Sequence, residues 1–212
     1  MTPTRYGIYL RPDPVTCWVQ AQTNMTLKQQ YGLISAAAFP PHATLVGSLK
    51  TDASIADIVD RVEHALIGKT SFTVHNKGLE TTGDGYVFNV HENGNGEPNQ
   101  PFIDTATAIK AAILPIALPT EDFLVTPVAE AEFWGHLSLA SHDLSVDRTL
   151  YDEVGEFLAE LLAGLPTPAP EMFSGRTVVL YGTDSDDWEG QWWRTHRYQH
   201  LKTWTLPDPG AE

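Results

Sequence analysis

Hydrophobic and polar residues change their period several times along the chain, and the periods predict a mixture of helices and strands. In residues 52–66 apolar residues recur three and four positions apart, as on one face of a helix, and Ser54 with Asp57 forms a variant of the capping box at its start. The same period, less regular, predicts helices at about 15–33, 102–118 (up to Pro115) and 147–162. Alternation and β-forming residues predict strands after Pro40-Pro41 and at about 6–11, 71–81, 86–91, 132–140, 176–181 and 197–206.

The predicted elements follow one another in the same order twice. Strand, helix, strand, helix and strand occupy residues 6–81, and the same order runs again over 86–181. We therefore predict an α+β fold that is duplicated and has two lobes, in which two antiparallel-rich sheets face a central groove with helices outside. Residues 1–212 would form a single domain of two pseudo-symmetric halves, about 5–81 with the closing strand 197–206, and about 86–181.

Each predicted half contains one copy of a short motif, His42-Ala43-Thr44-Leu45 in the first and His136-Leu137-Ser138-Leu139 in the second. Side chains of a strand point alternately to its two faces, so each motif would present its histidine and its hydroxyl on one face. No other histidine of the chain is followed two positions later by serine or threonine. Brought face to face, the motifs would place two proton-transfer groups and two hydroxyl donors around one anion, which suits phosphodiester chemistry.

The formal net charge of −14 limits the partners. Proteins that bind a long nucleic acid use clustered basic residues, and here the 13 lysines and arginines are scattered, so no extended nucleic acid is expected. The expected ligand is a small nucleotide or the end of an oligonucleotide. The one cysteine, Cys17, excludes an intrachain disulfide and a cysteine-rich metal site. Without a bilayer-length apolar run or a signal peptide, we expect a cytoplasmic monomer with no membrane contact.

The paired motifs resemble the signature of the two-histidine (2H) phosphoesterase superfamily, which includes RNA 2′,3′-cyclic phosphodiesterases and 2′-5′ RNA ligase-like proteins. The resemblance implies that His42 and His136 are the catalytic pair and that Thr44 and Ser138 hold the phosphate, with Ser138 in place of the commoner threonine. It also implies a metal-independent hydrolase, without a cofactor, that acts on a 2′,3′-cyclic phosphate end or a small cyclic nucleotide. Which histidine is the acid and which the base stays open.

Three other interpretations compete with this one. A zinc site needs three or four ligands at close spacing, and neither motif contains His-x-His or His-x-x-x-His, so no metal site is predicted. A non-catalytic nucleotide-binding module would keep the same fold and groove without turnover. An RNA end-joining 2′-5′ ligase would use the same groove in reverse, but the lack of a basic surface disfavours it.

Some further residues are weaker candidates for the groove. Trp188, Trp192 and Trp193 have the chemistry to stack on a base, although a packed cluster is the favoured interpretation. His142 lies just beyond the second motif and is a candidate for the rim. Four residues on strands predicted to border the groove are Arg5, Tyr6, Arg176 and Tyr181. The remaining histidines are expected to be structural or surface residues: His64, His75, His91, His196 and His200.

Overall fold

The computed structural model describes residues 4–120 and 126–210. These residues contain nine strands and five α-helices. The strands are β1 (Arg5–Arg11), β2 (Ala43–Leu49), β3 (Phe72–His75), β4 (Leu79–Thr81), β5 (Tyr86–Asn89), β6 (His136–Ala140), β7 (Met172–Gly175), β8 (Thr177–Asp184) and β9 (Arg197–Thr205). The helices are α1 (Pro14–Tyr31), α2 (Ile55–Leu66), α3 (Gln100–Ile113), α4 (His142–Val146) and α5 (Tyr151–Gly164). Short 3-10 helices occur at Ala36–Ala38, Leu114–Ile116 and Trp192–Arg194.

The strands of the described ranges pair antiparallel in three sheets. The first sheet has the order β2-β1-β8-β9, the second has the order β4-β5-β6, and a third consists of β3 and β7. The predicted α+β fold of antiparallel sheets and helices is thereby confirmed, while the two-stranded third sheet was not predicted. The strands that carry or follow the two histidines, β2 and β6, each lie at the edge of a sheet.

Apart from the short α4, the order of elements occurs twice, as β1-α1-β2-α2-β3-β4 and as β5-α3-β6-α5-β7-β8. The sheets do not coincide with these two runs. The last strand of each run pairs with the first strand of the other, β8 with β1 and β4 with β5. β3 and β7, which occupy the same place in the two runs, pair with each other. The predicted repeat thus describes the order of the elements, but each large sheet combines strands from both halves.

The helices cross between the halves in the same manner. α1 packs against β6 and α5, and α3 packs against β2 and α2, so each of these helices covers the motif strand of the other half. One cluster of buried apolar side chains runs from Ile8 and Leu10 of β1 to Leu137 and Leu139 of β6. Both motif strands therefore rest on the same core. None of the helices in the described ranges has the length and apolar content needed to cross a bilayer.

The first two helices begin where the sequence supplies caps. The Asp13 carboxylate accepts hydrogen bonds from the amides of Val15 and Thr16, with a proline in the first turn, and α1 ends at Gly32, whose φ of 72° lies in the left-handed region. At α2 the predicted capping box between Ser54 and Asp57 is present in both directions. These local signals explain why α1 and α2 agree with the predicted positions.

Other boundaries differ from the prediction for local reasons. The predicted strand 71–81 is interrupted at Gly78, whose φ of 92° breaks the extended backbone, so β3 and β4 join different sheets. The predicted strand 132–140 is a strand only from His136 onward. α4 and β7 have no counterpart among the predicted elements. The sequence also predicts a long loop at residues 119–131, part of which lies outside the described residues.

Candidate active site

A cavity of about 900 Å³ lies between the first and second sheets, and the four polar motif residues all line it. His42 and Thr44 reach it from the start of β2, and His136 and Ser138 reach it from β6. The structure thus brings together two motifs that are widely separated in the sequence.

Strand alternation explains why the polar residues face the cavity. In the first motif Ala43 is fully buried and Leu45 is nearly so, and in the second Leu137 and Leu139 are buried in the core. The four polar residues alternate with these apolar ones along the strands and line the cavity, as Leu45 also does. His42 itself lies one residue before β2, whose pairing with β1 begins at Ala43 opposite Leu10.

Each of the two histidines is held by an equivalent hydrogen bond from its ring to the backbone. Nδ1 of His42 lies 2.7 Å from the carbonyl oxygen of Pro40, and Nδ1 of His136 lies 2.9 Å from the carbonyl oxygen of Trp134, two residues upstream in each case. A carbonyl only accepts, so Nδ1 carries the hydrogen and donates it. In the neutral ring Nε2 is then the nitrogen that accepts a proton. The bonds fix equivalent tautomers and ring orientations in the two halves.

Burial lowers the pKa of both imidazoles. The pKa of His42 falls to about 4, mainly because burial disfavours the charged ring, and the nearby His136 and His196 lower it further. Burial also lowers the pKa of His136, against the opposing effect of its bond to Trp134. Both rings are therefore neutral near pH 7 before a ligand binds.

The two rings have different aromatic neighbours. His42 lies edge-on to Tyr9, with ring centroids 4.5 Å apart, and 5.3 Å from Phe39. His136 lies beside Trp134, with centroids 4.8 Å apart. Tyr9, Phe39 and Trp134 also line the cavity. Rings on these sides restrict the imidazoles to a small part of their rotamer range and help to exclude water.

Gln20 is a residue of the site that the sequence analysis missed. It lies on the buried face of α1 and lines the cavity, and its Nε2 donates to the carbonyl oxygen of Ser138 at 3.0 Å. Since β6 is an edge strand, this bond gives a partner to a backbone group on the side where no further strand pairs. A helix of the first half thereby holds the motif of the second. A polar residue within a weak helical pattern offered no specific signal.

Lys110 of α3 is the second residue that the sequence analysis missed. Among the described residues that line the cavity, the charged side chains besides histidine are Lys110 and Glu132. The Lys110 ammonium donates to the carbonyl oxygen of Ala131, which tethers it to the loop before β6. The cavity thus relies mainly on neutral donors, with little fixed positive charge.

The weaker sequence candidates divide into two groups. Trp188, Trp192 and His142 line the cavity, whereas Trp193 does not and instead stacks on His142, with centroids 5.6 Å apart. Arg5 is buried just behind the wall, where it donates to the hydroxyl of the cavity residue Ser48 at 2.8 Å. Absent from the described lining are Tyr6, Arg176, Tyr181 and the histidines expected to be structural or surface residues.

A resident metal would need a cluster of ligands. Within residues 4–120 and 126–210, no three side chains of His, Cys, Asp or Glu are grouped closely enough to hold a metal ion. The groups that can act chemically on a ligand in this cavity include imidazoles, hydroxyls, the tethered ammonium of Lys110 and the carboxylate of Glu132.

Comparisons with known proteins identify the family. The family model of the 2′-5′ RNA ligase superfamily matches residues 12–187. A search of curated proteins finds no significant match. The family match includes both histidine motifs and agrees with the resemblance noted in the sequence.

Solved structures share the fold at low sequence identity. One is a crystal structure of a phosphoesterase, 14% identical, with a TM-score of 0.59 over 97% of this chain and 100% of that chain. Another is Escherichia coli LigT complexed with 3′-AMP, 15% identical, with a TM-score of 0.56 over 96% and 98%. A third is the Thermus thermophilus protein TT0787, 14% identical, with a TM-score of 0.57 over 97% and 99%. Because the family model spans most of the sequence, the chain belongs to the 2′-5′ RNA ligase superfamily of two-histidine phosphoesterases.

Proposed function

We propose that this protein is a metal-independent phosphodiesterase that hydrolyses a cyclic phosphodiester, either a 2′,3′-cyclic phosphate end or a small cyclic nucleotide. The observation that carries the proposal is the equivalent mounting of His42 and His136. Each imidazole lines the same cavity and has its Nδ1 bound to a backbone carbonyl, which leaves Nε2 to exchange a proton with a ligand. Two such groups around one phosphorus are what acid–base hydrolysis needs.

In the proposed reaction one imidazole takes a proton from water through Nε2, and the water oxygen forms a bond to phosphorus. The bond from phosphorus to one ring oxygen breaks, and the second imidazole, protonated, gives its proton to that oxygen. The product is a phosphate monoester. Thr44 and Ser138 donate hydrogen bonds to the non-bridging oxygens, whose charge increases in the transition state. Each positioned proton transfer contributes typically about 10²–10⁴ in rate.

The lowered pKa values give the ligand a part in setting the protonation state. In the free protein burial keeps both rings neutral near pH 7. An anionic phosphodiester placed between them favours the charged form of an imidazole and so raises the pKa. Substrate binding would therefore help to produce the protonated acid that the reaction needs.

A small nucleotide is the best candidate for the ligand. Crystal structures of E. coli LigT, which shares this fold, have been solved with 3′-AMP, phosphate, ATP and NADP+. The net charge of −14 and the scarcity of basic residues in the cavity disfavour a long polynucleotide. RNA end joining, suggested by the name of the family, would require the protein to bind two RNA ends. The negative charge of the protein would repel both of them.

The experiment measures phosphate monoester formation from 2′,3′-cyclic nucleotides and from a panel of cyclic mono- and dinucleotides, with EDTA present, for the wild type and His136→Ala. Turnover in EDTA that is lost in the variant is the expected result. Turnover abolished by EDTA and restored by a divalent metal would contradict the metal-independent mechanism. Binding of nucleotides without turnover of any of them would favour a non-catalytic module.

A further inference from the structure

Tyr9 of β1 lies in the cavity beside the first histidine motif. In the pairing of β1 with β2 it stands directly opposite Thr44, so the two side chains are neighbours on the same face of the sheet. Its ring lies edge-on to His42, with ring centroids 4.5 Å apart, and all three residues line the cavity. The phenol of Tyr9 therefore belongs to the same part of the cavity as the imidazole and the hydroxyl of the first motif.

Gly7 makes room for the hydroxyl of Tyr9. Glycine in the interior of a strand weakens the strand, and it often marks a position that another group approaches closely. A Cβ atom added at Gly7 would collide with the Oη and Cζ atoms of Tyr9, so no other residue fits there while the ring keeps its position. The ring thus lies along β1 with its phenolic end over Gly7.

Other rings fix the orientation of Tyr9. Its ring centroid lies 5.7 Å from that of Phe39 and 5.7 Å from that of Tyr181, and the residue is only 3% exposed. A ring packed on several sides loses little freedom when a ligand binds to it. The hydroxyl of Tyr9 is therefore preorganised before any ligand arrives.

The Tyr9 hydroxyl makes no hydrogen bond to the protein within residues 4–120 and 126–210, although buried phenols normally have a partner. Its oxygen is not among the fully buried polar atoms of these ranges that lack a partner, so it is open to the cavity that the residue lines. Burial, with a smaller effect of Tyr181, raises the pKa of Tyr9 well above its ordinary value. The phenol is therefore protonated near pH 7 and can donate a hydrogen bond to a ligand.

A phosphodiester in this cavity needs such donors. Negative charge increases on the non-bridging oxygens in the transition state, and donors aimed at them stabilise it. In the described lining the cation besides histidine is Lys110, whose ammonium is bound to the carbonyl oxygen of Ala131. Neutral hydroxyls must therefore supply much of the stabilisation. Thr44 and Ser138 provide two of them, and the position of Tyr9 opposite Thr44 adds a third.

We propose that Tyr9 is a further catalytic residue, whose hydroxyl donates a hydrogen bond to a non-bridging oxygen of the substrate phosphate beside Thr44. This inference rests on the proposed function for the position of the phosphate. The hydrogen bond strengthens as negative charge grows on that oxygen. Tyr9 keeps its proton throughout, and the two proton transfers stay with His42 and His136.

The test is Tyr9→Phe, which removes the hydroxyl and keeps the ring against His42. With uridine 2′,3′-cyclic phosphate as substrate we expect kcat to fall by about 10², the cost of losing one donor to a developing oxyanion, with a smaller change in KM. Tyr181→Phe is the matched control, because Tyr181 is also buried, also has a raised pKa and is absent from the described lining of the cavity. It should keep the activity of the wild type, and thermal unfolding of both variants checks that they are folded.

Phosphorothioate substrates separate a direct contact from an effect exerted through His42. Sulfur is a weak hydrogen-bond acceptor, so sulfur in place of the contacted oxygen removes most of the benefit of the Tyr9 hydroxyl. For one diastereomer of uridine 2′,3′-cyclic phosphorothioate, Tyr9→Phe should therefore lower kcat by less than about ten-fold, against about 10² for the other diastereomer and for the oxygen substrate.

Wild-type kcat in Tyr9→Phe would overturn the inference and leave the proposed function intact. The same conclusion follows if Tyr9→Phe loses equal activity with the oxygen substrate and with both diastereomers, or if Tyr181→Phe loses as much as Tyr9→Phe.

If the wild type turns over none of these substrates, the proposed function fails, and calorimetry with 3′-AMP decides the inference. Its phosphate monoester presents charged oxygens to the same hydroxyl. Binding that is about ten-fold weaker in Tyr9→Phe than in the wild type and Tyr181→Phe supports the inference, since a hydrogen bond to a charged group contributes about that much. Equal binding in all three proteins, or no binding to the wild type, contradicts it.

Discussion

The two motif strands mount their histidines in the same way but place them among different neighbours. In both, a ring nitrogen donates to the carbonyl two residues upstream, and apolar residues between the polar ones anchor the strand in the core. His42 lies against the rings of Tyr9 and Phe39. On the other side the carbonyl of Ser138 is held by Gln20 of α1. In the proposed reaction the common features would supply the two proton transfers, and the bond from Gln20 distinguishes the second motif from the first.

The strongest test of the equivalence between the two histidine motifs removes each imidazole in turn. His42→Ala and His136→Ala should each lower kcat by about 10²–10⁴, because each removes one proton transfer. The double variant should fall little further, since the two groups act as a unit. His64→Ala, an exposed histidine of α2 outside the cavity, is the control and should retain activity. Near-normal turnover in either single variant, measured under saturating substrate, would contradict the two-histidine mechanism.

Removing the hydroxyls tests the second pair of matched positions. Thr44→Val and Ser138→Ala should each lower kcat by about 10², the cost of losing one donor to a developing oxyanion. Thr44→Ser and Ser138→Thr keep the hydroxyl on the same face of the strand and should stay within a few-fold of the wild type. The comparison of kcat with KM separates transition-state stabilisation from substrate binding. A larger change in KM than in kcat would mean that the hydroxyls bind the ground state and the transition state about equally.

Gln20 breaks the symmetry between the motifs, so its removal should affect the second motif alone. Gln20→Leu leaves the carbonyl of Ser138 without its side-chain donor and should cost about 1–3 kcal/mol of stability. A small shift of β6 misplaces Ser138 and His136, for which we expect kcat to fall about ten-fold with little change in KM.

Thr23→Val is the matched control for Gln20, because Thr23 is buried on the same helix and its hydroxyl bonds to the carbonyl of Val19 within α1. Urea unfolding and steady-state kinetics are measured on both variants. If kcat falls equally in both at similar stability, Gln20 has a structural role and does not position the motif.

Local signals in the sequence predicted a large part of this molecule. The capping box at Ser54, the strand alternation in the motifs and the repeated order of elements each depend on residues near one another in the chain. The cleft that the paired motifs predicted lies between the two sheets and is lined by all four of their polar residues. Strong local periodicity is the most reliable kind of sequence pattern.

The remaining features depend on contacts between distant residues. The pairing of β8 with β1 is set by the tertiary packing of both halves, and no periodicity within 177–184 identifies its partner. On α1 the buried face is largely polar, with Thr16, Gln20, Thr23 and Asn24 among its buried residues, so the helix lacks the apolar stripe that marks a core-facing side. The bond from Gln20 to Ser138 was therefore invisible in the sequence, although it joins the two halves at the site.

The pH dependence gives the smallest but most specific effect. Acid–base hydrolysis needs one proton shared between the two imidazoles, and burial lowers the pKa of both in the free protein, that of His42 to about 4. Both pKa values lie below the usual histidine pKa of about 6.5. Most of the free protein has therefore lost that proton once the pH reaches about 6.5. Since kcat/KM reports the free protein, its optimum should lie below about 6.5 and its value should fall at higher pH.

The bound state should behave differently, because the anionic phosphodiester raises the imidazole pKa values. The optimum of kcat, which reports the complex, should therefore lie at higher pH than that of kcat/KM. Both profiles are measured with the same substrate at constant ionic strength. A kcat/KM that rises steadily through neutral pH would show that no protonated histidine is required, and would assign the acid to another group. If the optimum of kcat instead lies at lower pH than that of kcat/KM, the phosphate does not lie between the two rings.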